Sequence, residues 1–183
     1  MRWLILAAVG ALLCTVGDHL HAVSGILDYA HVFAWDQAWW VPLLFACATL
    51  SCVSGAAPFL TRGAPMRTPD IRQISADGIG FLAAYAYTSF APAERPNVTL
   101  LVLATAFLVR VMAERRAPML VVYCLFLSAA GAVFEGTLSL TGAFAYRHPD
   151  FYGVPRWLPG IYLHAGLIAG ELSLFMGISR TGP

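Results

Sequence analysis

Two carboxylates stand inside long apolar runs near the end of the chain: Glu135 in the run 118–142 and Glu171 in the run 157–178. His164 shares the second run. A third acidic group, Asp18, closes the first apolar run in the order Asp18-His19-Leu20-His21. A fourth, Asp77, follows Gln73 by one helical step and precedes Tyr85. A carboxylate at the centre of a membrane helix costs about 2.5–3.5 kcal/mol on insertion scales, so each must face protein, water or a polar ligand. Such groups can hydrogen-bond a lipid head, relay protons or hold a metal. Asp18 and His21 share a helix face whereas His19 and His21 do not, so this stretch offers two ligands per face. A metal needs three or four convergent ligands, and no His-Glu-x-x-His pattern supplies them. No catalytic residue and no metal ligand is therefore assigned, and no cofactor is called for beyond a bound lipid.

The surrounding composition decides the solvent. Hydrophobic residues are 59% of 183 and charged residues 11%; a soluble domain carries about 25% charged residues. The apolar material exceeds what one core can hide, so lipid must cover part of it. The formal net charge of +1 gives no reason to expect nucleic acid. Cys14, Cys47, Cys52 and Cys124 lie in apolar runs at spacings that fit no zinc or redox site, and read as small buried hydrophobes.

Six apolar segments, at 3–24, 38–60, 71–90, 97–113, 118–142 and 157–178, predict an all-α, polytopic six-transmembrane-helix bundle forming one domain over 1–183. Roughly 20 residues cross a ~30 Å hydrocarbon layer. Trp39-Trp40 reads as an interfacial anchor heading the second span. The segments 25–37 and 143–156 read as polar connectors, and 61–70 as a basic, proline-broken loop. Eight arginines fall on the amino-terminal side of this arrangement and Arg95, Arg147 and Arg156 on the other, which places both termini in the cytoplasm. Asp18, Glu135 and His164 fall at one depth, ~10 Å below the outer surface at 1.5 Å per residue. Asp77 and Glu171 fall in a second, inner layer. Ser51, Ser54, Gly55 and Ala56 form a small-residue surface on the second span that permits close helix contact and predicts a homo-oligomer.

Two stretches carry a family resemblance. Ala38-Trp-Trp-Val-Pro42 opens the second span. Further on come Gly142, Tyr146, Pro149-Asp-Phe151, Trp157-Leu-Pro159, Gly166 and Gly170, in that order. In motif and spacing these resemble the Insig (insulin-induced gene) family, as a short prokaryotic homologue would. Asn97-Val and Glu114-Arg115 fit the same alignment. The resemblance implies six membrane helices and a non-enzymatic regulator that binds lipid within the bilayer. It also implies sterol-sensing-domain proteins as partners. A bacterial member, in the plasma membrane, would meet a diacylglycerol-like lipid; a eukaryotic one, in the endoplasmic reticulum, a sterol.

The residues expected around such a lipid are Gln73, Asp77 and Tyr85 on the third span, with Asp18, His21 and Glu135. A small proton-coupled transporter or channel is the main alternative, and an intramembrane metal enzyme a weaker one. Against a transporter, the two halves show no evident internal repeat.

Overall fold

The computed structural model describes residues 1–61, 69–114 and 116–178. Among the described residues, seven helices and two short strands follow one another. They are α1 (Arg2–Val23), β1 (Leu27–Tyr29), α2 (Val41–Gly55), α3 (Ala57–Leu60), α4 (Ile71–Phe90), α5 (Pro96–Ala113), α6 (Pro118–Leu140), β2 (Phe144–Tyr146) and α7 (Leu158–Phe175). Prolines stand in the first turn of α2, α3, α5, α6 and α7, where a missing N–H costs nothing. Pro58 also interrupts the hydrogen-bond ladder between α2 and α3, so these two form one broken rod. The Asp70 side chain caps α4, accepting from the Gln73 N–H at 2.8 Å.

Five rods are long and apolar enough to cross a membrane: α1, the α2–α3 rod over Val41–Leu60, α5, α6 and α7. α4 has the length, 20 residues, but carries Arg72, Gln73 and Asp77. The expected segments agree with the helices within a few residues, except that 38–40 precede α2 rather than open it. The loop expected at 61–70 lies largely outside the described residues. Large apolar side chains are exposed along α1 and α5, among them Leu4, Val9, Leu12, Leu101 and Val109. Acyl chains rather than water suit such a surface.

α7 is the central element. It packs on α6 and α4, and also on α2, α3 and α5. Close approach to α6 depends on Gly166, where a Cβ would lie 2.8 Å from the backbone Cα of Cys124. Backbone cannot move aside as a side-chain tip can. Gly166→Ala is therefore expected to destabilise the bundle by about 1–3 kcal/mol, the usual cost of overpacking. Thermal unfolding in detergent would show it, and an unchanged midpoint would count against this packing.

The connectors at 25–37 and 143–156 are more ordered than polar loops. β1 pairs antiparallel with β2, Asp28 opposite Ala145. After each strand comes the same tight turn, closed by the bridges Ala34–Gln37 and Phe151–Val154. Backbone with positive φ recurs in register: Gly25 (+73°) with Gly142 (+78°), Trp35 (+53°) with Tyr152 (+48°), Asp36 (+54°) with Gly153 (+75°). The amide of Ala30 donates to the carbonyl of Ala143, and that of Arg147 to Ile26, which are equivalent bonds. At the same constant offset Tyr29 matches Tyr146, His31 His148, Trp40 Trp157 and Pro42 Pro159. The hairpins α1–β1–α2 and α6–β2–α7 are thus an internal repeat, related by a pseudo-two-fold between Asp28 and Ala145. The expectation that no repeat exists is corrected: the equivalence lies in backbone geometry, and few side chains carry it.

Candidate functional site

Each hairpin carries its carboxylate at the equivalent place, Asp18 on α1 and Glu135 on α6. Tyr29 donates its hydroxyl to Asp18 Oδ2 at 2.6 Å, and its counterpart Tyr146 donates to Glu135 Oε1. Gln37 donates to the same Asp18 Oδ2 at 2.6 Å and to the Thr15 carbonyl at 3.0 Å. Tyr162 of α7 donates to Glu135 Oε2 at 2.7 Å. Both strand tyrosines lie outside the membrane-spanning segments. Burial first, then the neighbouring carboxylate, pushes their hydroxyls above the ordinary phenol range, so they remain donors.

The two carboxylates line one cavity of about 440 Å³ between the hairpins. Its other walls are mostly apolar or aromatic, including Trp40, Leu44, Phe45 and Cys47 from the α2 side and Leu127, Phe134 and Leu138 from α6. Tyr85 of α4 completes it. Beyond α2, α3 packs on α6, with the Phe59 ring tilted against Tyr123 and Phe126 at 5.4 and 5.3 Å. α2 itself does not pack closely on α6, and the exposed Cys47 and Phe134 line the cavity between them. Of the four cysteines that sequence reading expects to be buried, Cys124 is, Cys14 and Cys52 are half-buried, and Cys47 is exposed.

His21 is buried beside the cavity but turned away from it. Its Nε2 meets Thr88 Oγ1 at 2.9 Å, and its ring packs between Tyr85 and Trp157 at 5.0 and 5.6 Å. The Thr88 hydroxyl is held by the Ala84 and Tyr85 carbonyls, so the imidazole Nε2–H is the donor. Asp18 and His21 thus part company, and among the described residues no three His, Cys, Asp or Glu side chains converge as a metal site.

Gln73 and Asp77 lie in a separate, inner cluster. Asp77 is fully buried and paired with Arg110 and Arg116; the Arg116 Nη2 distances are 2.8 and 2.9 Å. Arg116 also meets Glu171 and Glu114, and Gln73 donates to Glu114 at 2.6 Å. Arg110 Nη1 donates to His164 Nδ1 at 2.7 Å, which leaves the imidazole proton on Nε2, facing the Leu103 carbonyl at 3.2 Å. α4, α5, the residues before α6, and α7 are bound together here.

Of the three residues expected at one depth, Asp18 and Glu135 line the same cavity. His164 does not line it: its side chain meets Arg110 and the Leu103 carbonyl. Gln73 and Asp77 share a face, but Tyr85 stands eight residues further along α4, ~12 Å at the helical rise. That distance divides the expected stripe between cluster and cavity. Sequence reading overlooks Tyr29, Gln37, Tyr146 and Tyr162. The signal it could have used is a tyrosine eleven residues after each hairpin carboxylate.

No protein-family model matches the chain. A curated relative, an INSIG protein homolog of Mycolicibacterium vanbaalenii, is 29% identical over 181 residues, which cover 93% of this chain and 85% of the relative. The fold matches the crystal structure of the mycobacterial Insig homolog MvINS from Mycobacterium vanbaalenii with a TM-score of 0.82. That match has 23% identity and covers 99% of this chain and 96% of the other. A cross-linked trimer of a cysteine variant of MvINS matches at a TM-score of 0.81, with the same identity and coverage. The resemblance to the Insig family carried by the tryptophan pair and the glycine series therefore holds over nearly the whole chain.

Proposed function

We propose that this Insig-type membrane protein holds one amphipathic lipid in the cavity between its hairpins and regulates a membrane partner through it, without catalysing a reaction. The observation that carries this reading is the cavity itself: walls of acyl-compatible side chains, one buried and one half-buried carboxylate, and an edge where exposed Cys47 of α2 and Phe134 of α6 line it. Chains of an amphiphile would enter at that edge and its head would meet Asp18. By family resemblance the lipid is a sterol or diacylglycerol-like, and the partner a sterol-sensing-domain protein. In this reading α4 crosses the membrane with the five more apolar rods, and both termini face the cytoplasm.

The trimeric state of the cross-linked MvINS variant supports self-association here too. Of the expected small-residue surface, Ala56 is buried in the core and Ser51 lines the cavity, whereas Ser54 and Gly55 are exposed on α2, and a Cβ on Gly55 would meet nothing within 4 Å. Ser54 and Gly55 therefore serve contacts between copies rather than packing within the bundle.

Displacement of a fluorescent sterol or diacylglycerol analogue from purified protein tests the lipid reading. Asp18→Leu is expected to weaken analogue binding by about 1–3 kcal/mol, the range for a hydrogen bond to a charged group. Equal affinity would remove Asp18 from the site. If no analogue binds the unmodified protein, the lipid reading fails.

A further inference from the structure

The cavity carboxylates, Asp18 and the half-buried Glu135, differ from the other acids of the fold in their partners. Asp77 and Glu171 are each met by arginine. At the surface, Asp28 has Arg147 and Asp150 has Arg156. The cavity is lined by two carboxylates and by no Arg or Lys. His19, next to Asp18, turns outward to the Trp35 carbonyl at 2.7 Å. Buried ions are retained where an opposite charge or a dense set of donors meets them.

Donors around Asp18 are incomplete. Tyr29 and Gln37 both converge on Oδ2, and among the described residues nothing donates to Oδ1. The residue is 7% exposed and lines the cavity, so this oxygen is an acceptor without a partner on a nearly closed surface. Tyr29, Tyr146 and Tyr162 already spend their hydroxyl protons on the two carboxylates. Tyr85, Trp40 and Ser51 can still donate to a neutral head, but none carries a positive charge, and an anionic head is repelled. Aromatic rings from Tyr29, Trp40, Tyr85, Tyr146 and Tyr162 surround the same space, and such rings attract cations.

We propose that the cavity also takes amphiphiles with a protonated amine head, and takes them in preference to neutral ones of the same chain. The ammonium group donates to Asp18 Oδ1, offsets the charge shared with Glu135, and lies against the tyrosine rings; the tail leaves between α2 and α6. This inference rests on the reading of the cavity as a lipid site. It adds a ligand class that would compete with the neutral lipid and so lower its occupancy.

The test compares three ligands of one chain, oleylamine, oleyl alcohol and oleic acid, as competitors of the fluorescent diacylglycerol analogue. The protein is held in an uncharged detergent. In the unmodified protein the amine is expected to displace the analogue at roughly a tenth of the alcohol concentration, as one charge-assisted hydrogen bond would give, with the acid weakest. Asp18→Asn keeps the shape and removes the charge, and should bring the amine to the level of the alcohol. Glu135→Gln should narrow the same ratio and serves if the first variant does not fold. An amine no better than the alcohol in the unmodified protein would overturn the proposal while leaving the lipid reading intact. So would an advantage that persists in the variants. An analogue that never binds would overturn both.

Discussion

Arg116→Ala is expected to cost the bundle about 3–5 kcal/mol, the range for removing one member of a buried ion pair. The Arg116 side chain is 5% exposed and touches Asp77, Glu171 and Glu114. Its loss leaves Asp77, fully buried, with Arg110 as its remaining cation. Glu171, 8% exposed, loses the arginine it pairs with. The two carboxylates belong to α4 and α7, so the damage falls on the contact that holds the central helix. Equilibrium unfolding in mixed micelles of increasing denaturing detergent would read the change. Arg116→Met combined with Glu171→Leu removes both charges of one pair and should recover part of the loss, because an apolar pair of similar volume needs no desolvation. If Arg116→Ala lies within about 1 kcal/mol of the unmodified protein, the cluster is not a structural clamp. Asp77→Leu, which takes the carboxylate from Arg110 while Arg116 keeps Glu171 and Glu114, should likewise act on stability rather than on lipid affinity.

How much of this was legible beforehand depends on the range of each contact. Helix positions were read well, because apolar length and the punctuating prolines at 42, 96, 118 and 159 are local signals. That Asp18 and Glu135 belong together was also readable from counting residues along two rods, and both line one cavity. Asp77 was different. Its polarity inside a span was visible, but its neighbours come from Arg110 and Arg116, far along the chain, and no periodicity on α4 announces them. Counted as cytoplasmic-side charges, those arginines are in fact spent inside the protein.

The internal repeat escaped for another reason. Backbone geometry is repeated while most side chains are not: Trp35 and Asp36 adopt in one turn the positive φ that Tyr152 and Gly153 adopt in the other. Only Gly25 and Gly142 show the expected glycine at both positions. Once the strands are paired, the tyrosine following each carboxylate becomes a signature of the site; without the pairing it is one aromatic among many.

Filling the cavity should have the largest functional effect. Ala48 of α2 lines it, opposite Ala130 and Gly131 of α6. A tryptophan at 48 would take up part of the 440 Å³ and narrow the rest, while leaving the contacts of α3 with α6 untouched. The α2 surface is partly exposed at this point, so the fold can accept the larger side chain, and Ala130→Trp tests the same space from the other wall. The most direct measurement of the lipid reading is native mass spectrometry of the purified protein, with extraction and analysis of what co-purifies. The expected result is one amphipathic lipid per chain in the unmodified protein and its loss in Ala48→Trp and Ala130→Trp, with the helical content unchanged. An unmodified protein free of lipid, or a lipid retained equally by both filled variants, would contradict the assignment of this cavity as the ligand site.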